Sequence, residues 1–132
     1  MPTPPRALAP RLGLWALYDL NLPHYLDYAA LLLPPGDAPP AVRAAFDDLA
    51  AHWLDALATA SPAACAWQAV RHRVRTQAGP LHPVAHLSAR QQDVLLLHLV
   101  LDRSCAQIAA LTGTEPAAVH AHLRSLAATP RP

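Results

Sequence analysis

Apolar and polar positions alternate along the chain at helical spacing, in stretches separated by proline-rich turns. The first stretch runs from about Arg11 to Leu33. Pro23 interrupts it, which predicts a kink or two short helices. The run PPGDAPP, Pro34 to Pro40, is a turn. Pro39 or Pro40 can then occupy the first turn of a second helix, where a missing N–H costs nothing. That helix is expected to continue to about Ala60. Its Val42, Phe46, Leu49 and Trp53 recur at spacings of four, three and four and make one apolar stripe. Ser61 followed by Pro62 is an N-cap and first-turn pair. It opens a third helix to about Thr76 that buries Trp67 and Val70 or Val74.

Three more helices are expected after Gly79. Ser88 with Gln91 has the spacing of a capping box, in which the serine oxygen serves an orphan N–H and the glutamine reaches back. Val94, Leu97 and Leu101 give that helix its buried face. Ser104 with Gln107 repeats the signature and opens a helix of about two turns, ending at Leu111. Thr112-Gly113-Thr114 is a tight turn in which Gly113 supplies a positive φ. Glu115 or Thr114 can cap the last helix, with Pro116 in its first turn. Val119, Leu123 and Leu126 form that helix's apolar stripe. A short capped helix, a glycine turn and a longer helix make the helix-turn-helix layout. Its last helix lies in the major groove and presents outward residues to base edges. Ala109 falls where two helices cross closely, a place that favours a small side chain.

Composition narrows the fold. Hydrophobic residues are 53% of the 132, which excludes disorder. Alanine and leucine dominate and β-branched residues are scarce, so the expected fold is all-α, a small helical bundle followed by a C-terminal helix-turn-helix. The seven Trp, Tyr and Phe residues all lie at or before Trp67, which places a boundary in the Gly/Pro-containing segment that follows. The expected organisation is a disordered arm at 1–10, a bundle at 11–78, a linker at 79–87 and the helix-turn-helix at 88–129. Trp15, Tyr18, Tyr25, Tyr28, Phe46, Trp53 and Trp67 are read as core rather than a ligand cage.

The ten basic residues are all arginines, and they are unevenly placed. Residues 1–60 hold three arginines against six aspartates; residues 61–132 hold seven against Asp93, Asp102 and Glu115. The C-terminal half is thus the one suited to an anion. Cys65 and Cys105 are far apart and read as small buried thiols of a reducing compartment. The opening MPTPPRALAP is proline-broken and does not read as a signal peptide. The apolar run Tyr28 to Pro35 is too short to span a bilayer. A soluble, cytoplasmic protein with no membrane partner is expected.

The run LSARQQDVLLLHLVLDRSCAQIAALTGTEPAAVHAHLRSL resembles the fourth conserved region of bacterial RNA polymerase sigma factors, especially the extracytoplasmic-function type. It is also similar to the LuxR-type helix-turn-helix. Leu87-Ser88, Arg90, Val94, Ile108-Ala109, Leu111, Gly113, Val119, His122 and Leu123 stand at the motif positions. Further upstream, LWALYDLNLPHYLDYAALL and AVRAAFDDLAAHW are similar to the first two helices of the second sigma region. AWQAVRHRVR is similar to the helix that meets the −10 promoter element in that family. The resemblance implies a transcription regulator whose partners are promoter DNA and the RNA polymerase core, or another sigma or anti-sigma protein.

Two departures qualify that picture. The acidic pair usual before Val42 is replaced by Pro39, Pro40 and Ala41, on the face that would meet polymerase. The last helix offers Ala117, Ala118, His120, Ala121, His122, Arg124 and Ser125 outward, and only Arg124 carries a permanent charge. Direct readout depends on Arg, Lys, Asn and Gln, so sequence-specific readout is expected to be weak, and an adapter that binds protein instead of DNA is the alternative. The linker adds a geometric limit. Its nine residues reach at most about 30 Å. Promoter elements some twenty base pairs apart are separated by roughly 65 Å. The two halves are not expected to straddle both.

Arg90 and Arg103 flank the motif and suit phosphate contacts that position without specifying. Arg71, Arg73 and Arg75 suit phosphates or a solvated helix end equally. His82 and His86, and His120 and His122, are not joined by a cysteine or carboxylate that would complete four ligands, so no zinc site, and no cofactor, is expected. The adjacent Asp47 and Asp48 point about 100° apart on a helix and make no catalytic pair. No phosphate-cradling loop or nucleophile motif occurs, so an enzyme is not expected.

Overall fold

A computed structural model describes residues 8–79 and 86–128. The expected arm at 1–10 lies outside them except for its last three residues, which open the first helix. Most of the expected linker, with His82, also lies outside them. The described residues form seven α-helices and no strand. These are α1 (Leu8–Leu32), α2 (Ala38–Ala50), α3 (Trp53–Leu57), α4 (Pro62–Ala78), α5 (Ala89–Leu95), α6 (Cys105–Thr112) and α7 (Pro116–Ala128). A π-helical turn, Leu96–Val100, extends α5. The fold is all-α, ending in a helix-turn-helix.

Helix α1 runs through Pro23 as a single helix, where a kink or two short helices were expected. Pro23 is exposed, while Leu14, Tyr25, Tyr28 and Ala29 on either side are fully buried. Burial on both flanks holds the helix together across the missing N–H. The second expected helix does divide. It tightens at its end through a bond from the His52 N–H to the Leu49 carbonyl, 3.0 Å, and restarts as α3. The offset carries Trp53 to α1, where its ring lies over Gly13. Val42, Phe46, Leu49 and Trp53 are all buried, as their spacing requires. Ser61 caps α4, its Oγ accepting from the Ala64 N–H at 3.1 Å.

The aromatic residues converge in the bundle. Phe46 meets the Tyr18 ring edge-on at 5.0 Å and Tyr25 at 5.4 Å; Tyr28 meets Trp67 edge-on at 4.7 Å. Such pairs add about 0.5–1.5 kcal/mol each beyond the area they bury. Arg43 lies over Trp15, 4.4 Å from the ring centroid. The change in aromatic content after Trp67 does not divide the interior. One cluster of buried side chains extends from Leu14 through Phe46 and Trp67 to Leu97, Ile108 and Val119.

Burial pushes the Tyr25 phenol up from 10.0 to about 12, against a smaller opposing pull from its Asn21 hydrogen bond. Tyr28 moves in the same direction, through burial and then the nearby Asp93 carboxylate. A phenol that holds its proton longer when folded stabilises the fold fully below the unfolded value and loses that contribution as pH climbs through the folded one. Stability measured by urea denaturation should therefore hold up to about pH 10 and fall between 10 and 12. Tyr25→Phe should flatten part of that slope. A wild-type curve that stays level across this window would contradict the burial of these hydroxyls.

Candidate nucleic-acid interface

The helix-turn-helix is built from local bonds that the sequence specifies. The Gln91 N–H donates to Ser88 Oγ at 3.2 Å and the Ser88 N–H to Gln91 Oε1 at 3.0 Å, which completes the box that opens α5. Ser104 and Gln107 do the same for α6, at 2.9 and 3.1 Å. Gly113 ends α6 in the left-handed region at φ 73°. A methyl group there would overlap the Ala64 backbone nitrogen and Ser61 Oγ, so the turn between α6 and α7 sits directly on the N-terminus of α4. Ile108, Ala109, Leu111 and Val119 are buried in the seam, and Leu123 packs at its edge. Ala109 permits the close crossing, as its size suggests.

The seam leaves one face of α7 in solvent. Ala117, His120, Ala121, Arg124 and Ser125 are exposed. His120 Nδ1 lies 3.7 Å from Cys105 Sγ at the start of α6, and Ser125 Oγ accepts from Gln91 Nε2 at 3.3 Å. Ala118 and His122 are half-buried. His122 borders a cleft against α4, so it faces the bundle and not the outer side where it was expected.

The arginines expected at phosphates divide in the same way. Arg71 and Arg75 turn inward to Asp93, which is only 2% exposed. Arg71 Nε donates to Asp93 Oδ2 at 2.7 Å, and Arg75 Nη2 donates to Oδ1 at 3.3 Å. The Trp67 indole N–H donates to Oδ2 at 2.9 Å and the Tyr28 hydroxyl to Oδ1 at 3.0 Å. Arg75 also donates to the Tyr28 oxygen at 2.8 Å and to Gln92 Oε1. Among the described residues no buried side-chain polar atom lacks a partner. A carboxylate on the helix-turn-helix is thus enclosed by donors from α1 and α4.

Arg103 makes a second tie. Its Nε donates to His24 Nδ1 at 2.9 Å, its Nη1 to the Leu101 carbonyl at 2.9 Å and its Nη2 to Asp27. The π-helical turn enables this reach. Leu101 N–H bonds the Leu96 carbonyl at 3.0 Å and Arg103 N–H the Leu97 carbonyl at 2.8 Å. Asp102 then takes φ 57°, a left-handed value aspartate tolerates better than most residues. Arg73 pairs with Asp48 at the surface. Arg90 and Arg124 are exposed, and neither carries a partner among the described residues.

Asp93 was overlooked in the sequence, yet two signals pointed to it. It stands four residues before Leu97 and eight before Leu101, on the buried stripe of its own helix. Trp67, Arg71 and Arg75 also follow one another at intervals of four, a donor row along one face of α4.

Residues 84–125 match the family described as Sigma-70, region 4. This segment, with its helix-turn-helix, is similar to that family's region 4. No curated protein and no solved structure matches the chain.

Removing a partner from a buried ion pair leaves uncompensated charge, at a cost of about 3–5 kcal/mol. Asp93→Ala should lose that much in urea denaturation, because the Arg71 and Arg75 side chains are only 21% and 18% exposed. Asp48→Ala, which breaks the surface pair with Arg73, should cost less than about 1 kcal/mol. Equal, small losses in the two variants would show that the Asp93 cluster is not an anchor.

Proposed function

We propose that the chain is a sigma-like transcription regulator that meets promoter DNA through the exposed face of α7. The observation carrying this reading is that face itself, held outward by a region 4 helix-turn-helix whose caps and turn are complete. Arg124 would reach a base edge or phosphate, with His120, Ala117, Ala121 and Ser125 in the contact surface. Arg90 would hold the DNA backbone. Arg71, Arg75 and Arg103 serve intramolecular carboxylates, so they add little to DNA affinity. No reaction is assigned to the chain; its part is to bind and position.

A specific observation favours a second reading. The exposed face of α7 is mostly alanine, and much of the positive charge of the C-terminal half is neutralised inside the molecule. Such a surface suits a protein partner: the polymerase core, a sigma factor or an anti-sigma factor. The docked helix-turn-helix agrees with a regulator that engages one element rather than spanning two.

Salt titration separates the two readings. Each phosphate-bound cation contributes a slope of about −0.9 to log K against log salt. With Arg90 and Arg124 engaged, the slope should be roughly −2. Arg124→Ala should reduce it by about one and weaken binding by about 1 kcal/mol or more. Fluorescence anisotropy with a pool of promoter fragments measures both. Undetectable binding at low salt, together with recovery of polymerase or sigma subunits on the immobilised chain, would replace the DNA reading with the adapter reading.

A further inference from the structure

The outward face of α7 has apolar chemistry as well as charge. Ala117, Ala121 and Arg124 follow one another at spacings of four and three, within an arc of about 60°. All three are exposed. The polar side chains beside them are engaged within the molecule. His120 Nδ1 lies against Cys105 Sγ at 3.7 Å, and Ser125 Oγ accepts from Gln91 Nε2 at 3.3 Å. The row itself therefore presents two methyl groups followed by one guanidinium.

An exposed methyl group contributes to binding only when an apolar partner covers it. The major groove offers hydrogen-bonding base edges and one apolar group, the C5-methyl of thymine. Cytosine carries only a hydrogen at that place. Alanine reaches no further than its Cβ, so a methyl contact needs the helix deep in the groove. The row permits this. A helix about 10–12 Å across enters a groove about 12 Å wide, and within the row only Arg124, at the far end, projects further. Ala117 and Ala121 are about 6 Å apart along the axis, against about 3.4 Å between base pairs. On a helix lying along the groove they meet bases about two steps apart. We propose that Ala117 and Ala121 are specificity-determining residues that read thymine, each by covering one C5-methyl group. The DNA that fits α7 best then carries thymines about two steps apart, with Arg124 on a guanine or phosphate beyond them. Each covered methyl is worth about fourfold in affinity, so the selection is modest, in keeping with a face that has one long polar side chain. The inference rests on the DNA reading of α7 and adds to it the base that is chosen.

Random duplexes are enriched on the full chain at low salt. The best-bound duplex is then synthesised with thymine or with deoxyuridine, which lacks only the methyl group, and fluorescence anisotropy compares the two. The thymine form should bind about fifteenfold tighter. Ala117→Ser combined with Ala121→Ser puts a hydroxyl on each methyl at exposed helical positions, with folding verified by circular dichroism. In that variant the preference for thymine should shrink to about twofold or less. Equal binding of the two duplexes by the wild type overturns the inference and leaves the DNA reading intact. So does a variant that keeps the full preference, because the methyl would then act through the shape of the duplex. Failure of any duplex to bind at low salt overturns the DNA reading itself, and this inference with it.

Discussion

A carboxylate without water must be surrounded by donors, and Asp93 imposes that condition on the whole molecule. Its two oxygens accept from Tyr28 on α1 and from Trp67, Arg71 and Arg75 on α4. None of these donors belongs to the helix-turn-helix. The carboxylate is satisfied only when α5 lies against the bundle in one register, so the position of the sigma-like motif follows from it. Around this polar centre the apolar cluster closes, from Leu14 to Val119. Arg103, beyond the π-helical turn, adds a second tie to α1 through Asp27 and His24. The Gly113 turn fits against the Ala64 backbone where no side chain could. A buried ion cluster is weak evidence for stability in itself. Here its effect is geometric: it specifies which face of the helix-turn-helix is covered and which remains in solvent.

What could be read from the sequence was what local physics decides. The Ser88 and Ser104 capping boxes, the left-handed Gly113 and the Val42–Trp53 stripe each depend on residues within a few positions of one another, and all formed. The aromatic core was legible for a similar reason, since large apolar rings must be covered. Helix integrity at Pro23 and the break at His52 were not legible, because tertiary burial overrode the local preference at both. The roles of the arginines required knowing what lay opposite them. Arg71, Arg73 and Arg75 look alike in the sequence; two meet a buried aspartate and one a surface aspartate. The outward position of Arg124 was legible from the α7 stripe, whereas the inward turn of His122 depended on α4 covering that side.

This arrangement explains how a motif similar to region 4 can sit in a chain of nearly neutral charge. Positive charge that would otherwise form a broad phosphate-binding face is drawn into contacts between the two halves. What remains outside on α7 is a narrow surface with Arg124 at its centre and alanines around it. The contacts that fix the motif lie at one seam, between α4 and the helices that follow residue 88.

The central claim is that the two halves open only together, because Asp93 joins them. Hydrogen exchange at the Trp67 indole N–H, followed by NMR, tests it directly, since that proton is donated to Asp93. The account predicts that it exchanges with the free energy of global unfolding, alongside the most protected amides of α4. Exchange at a much lower free energy, while the α4 amides stay protected, would mean that the helix-turn-helix lifts from a folded bundle, and would contradict the account.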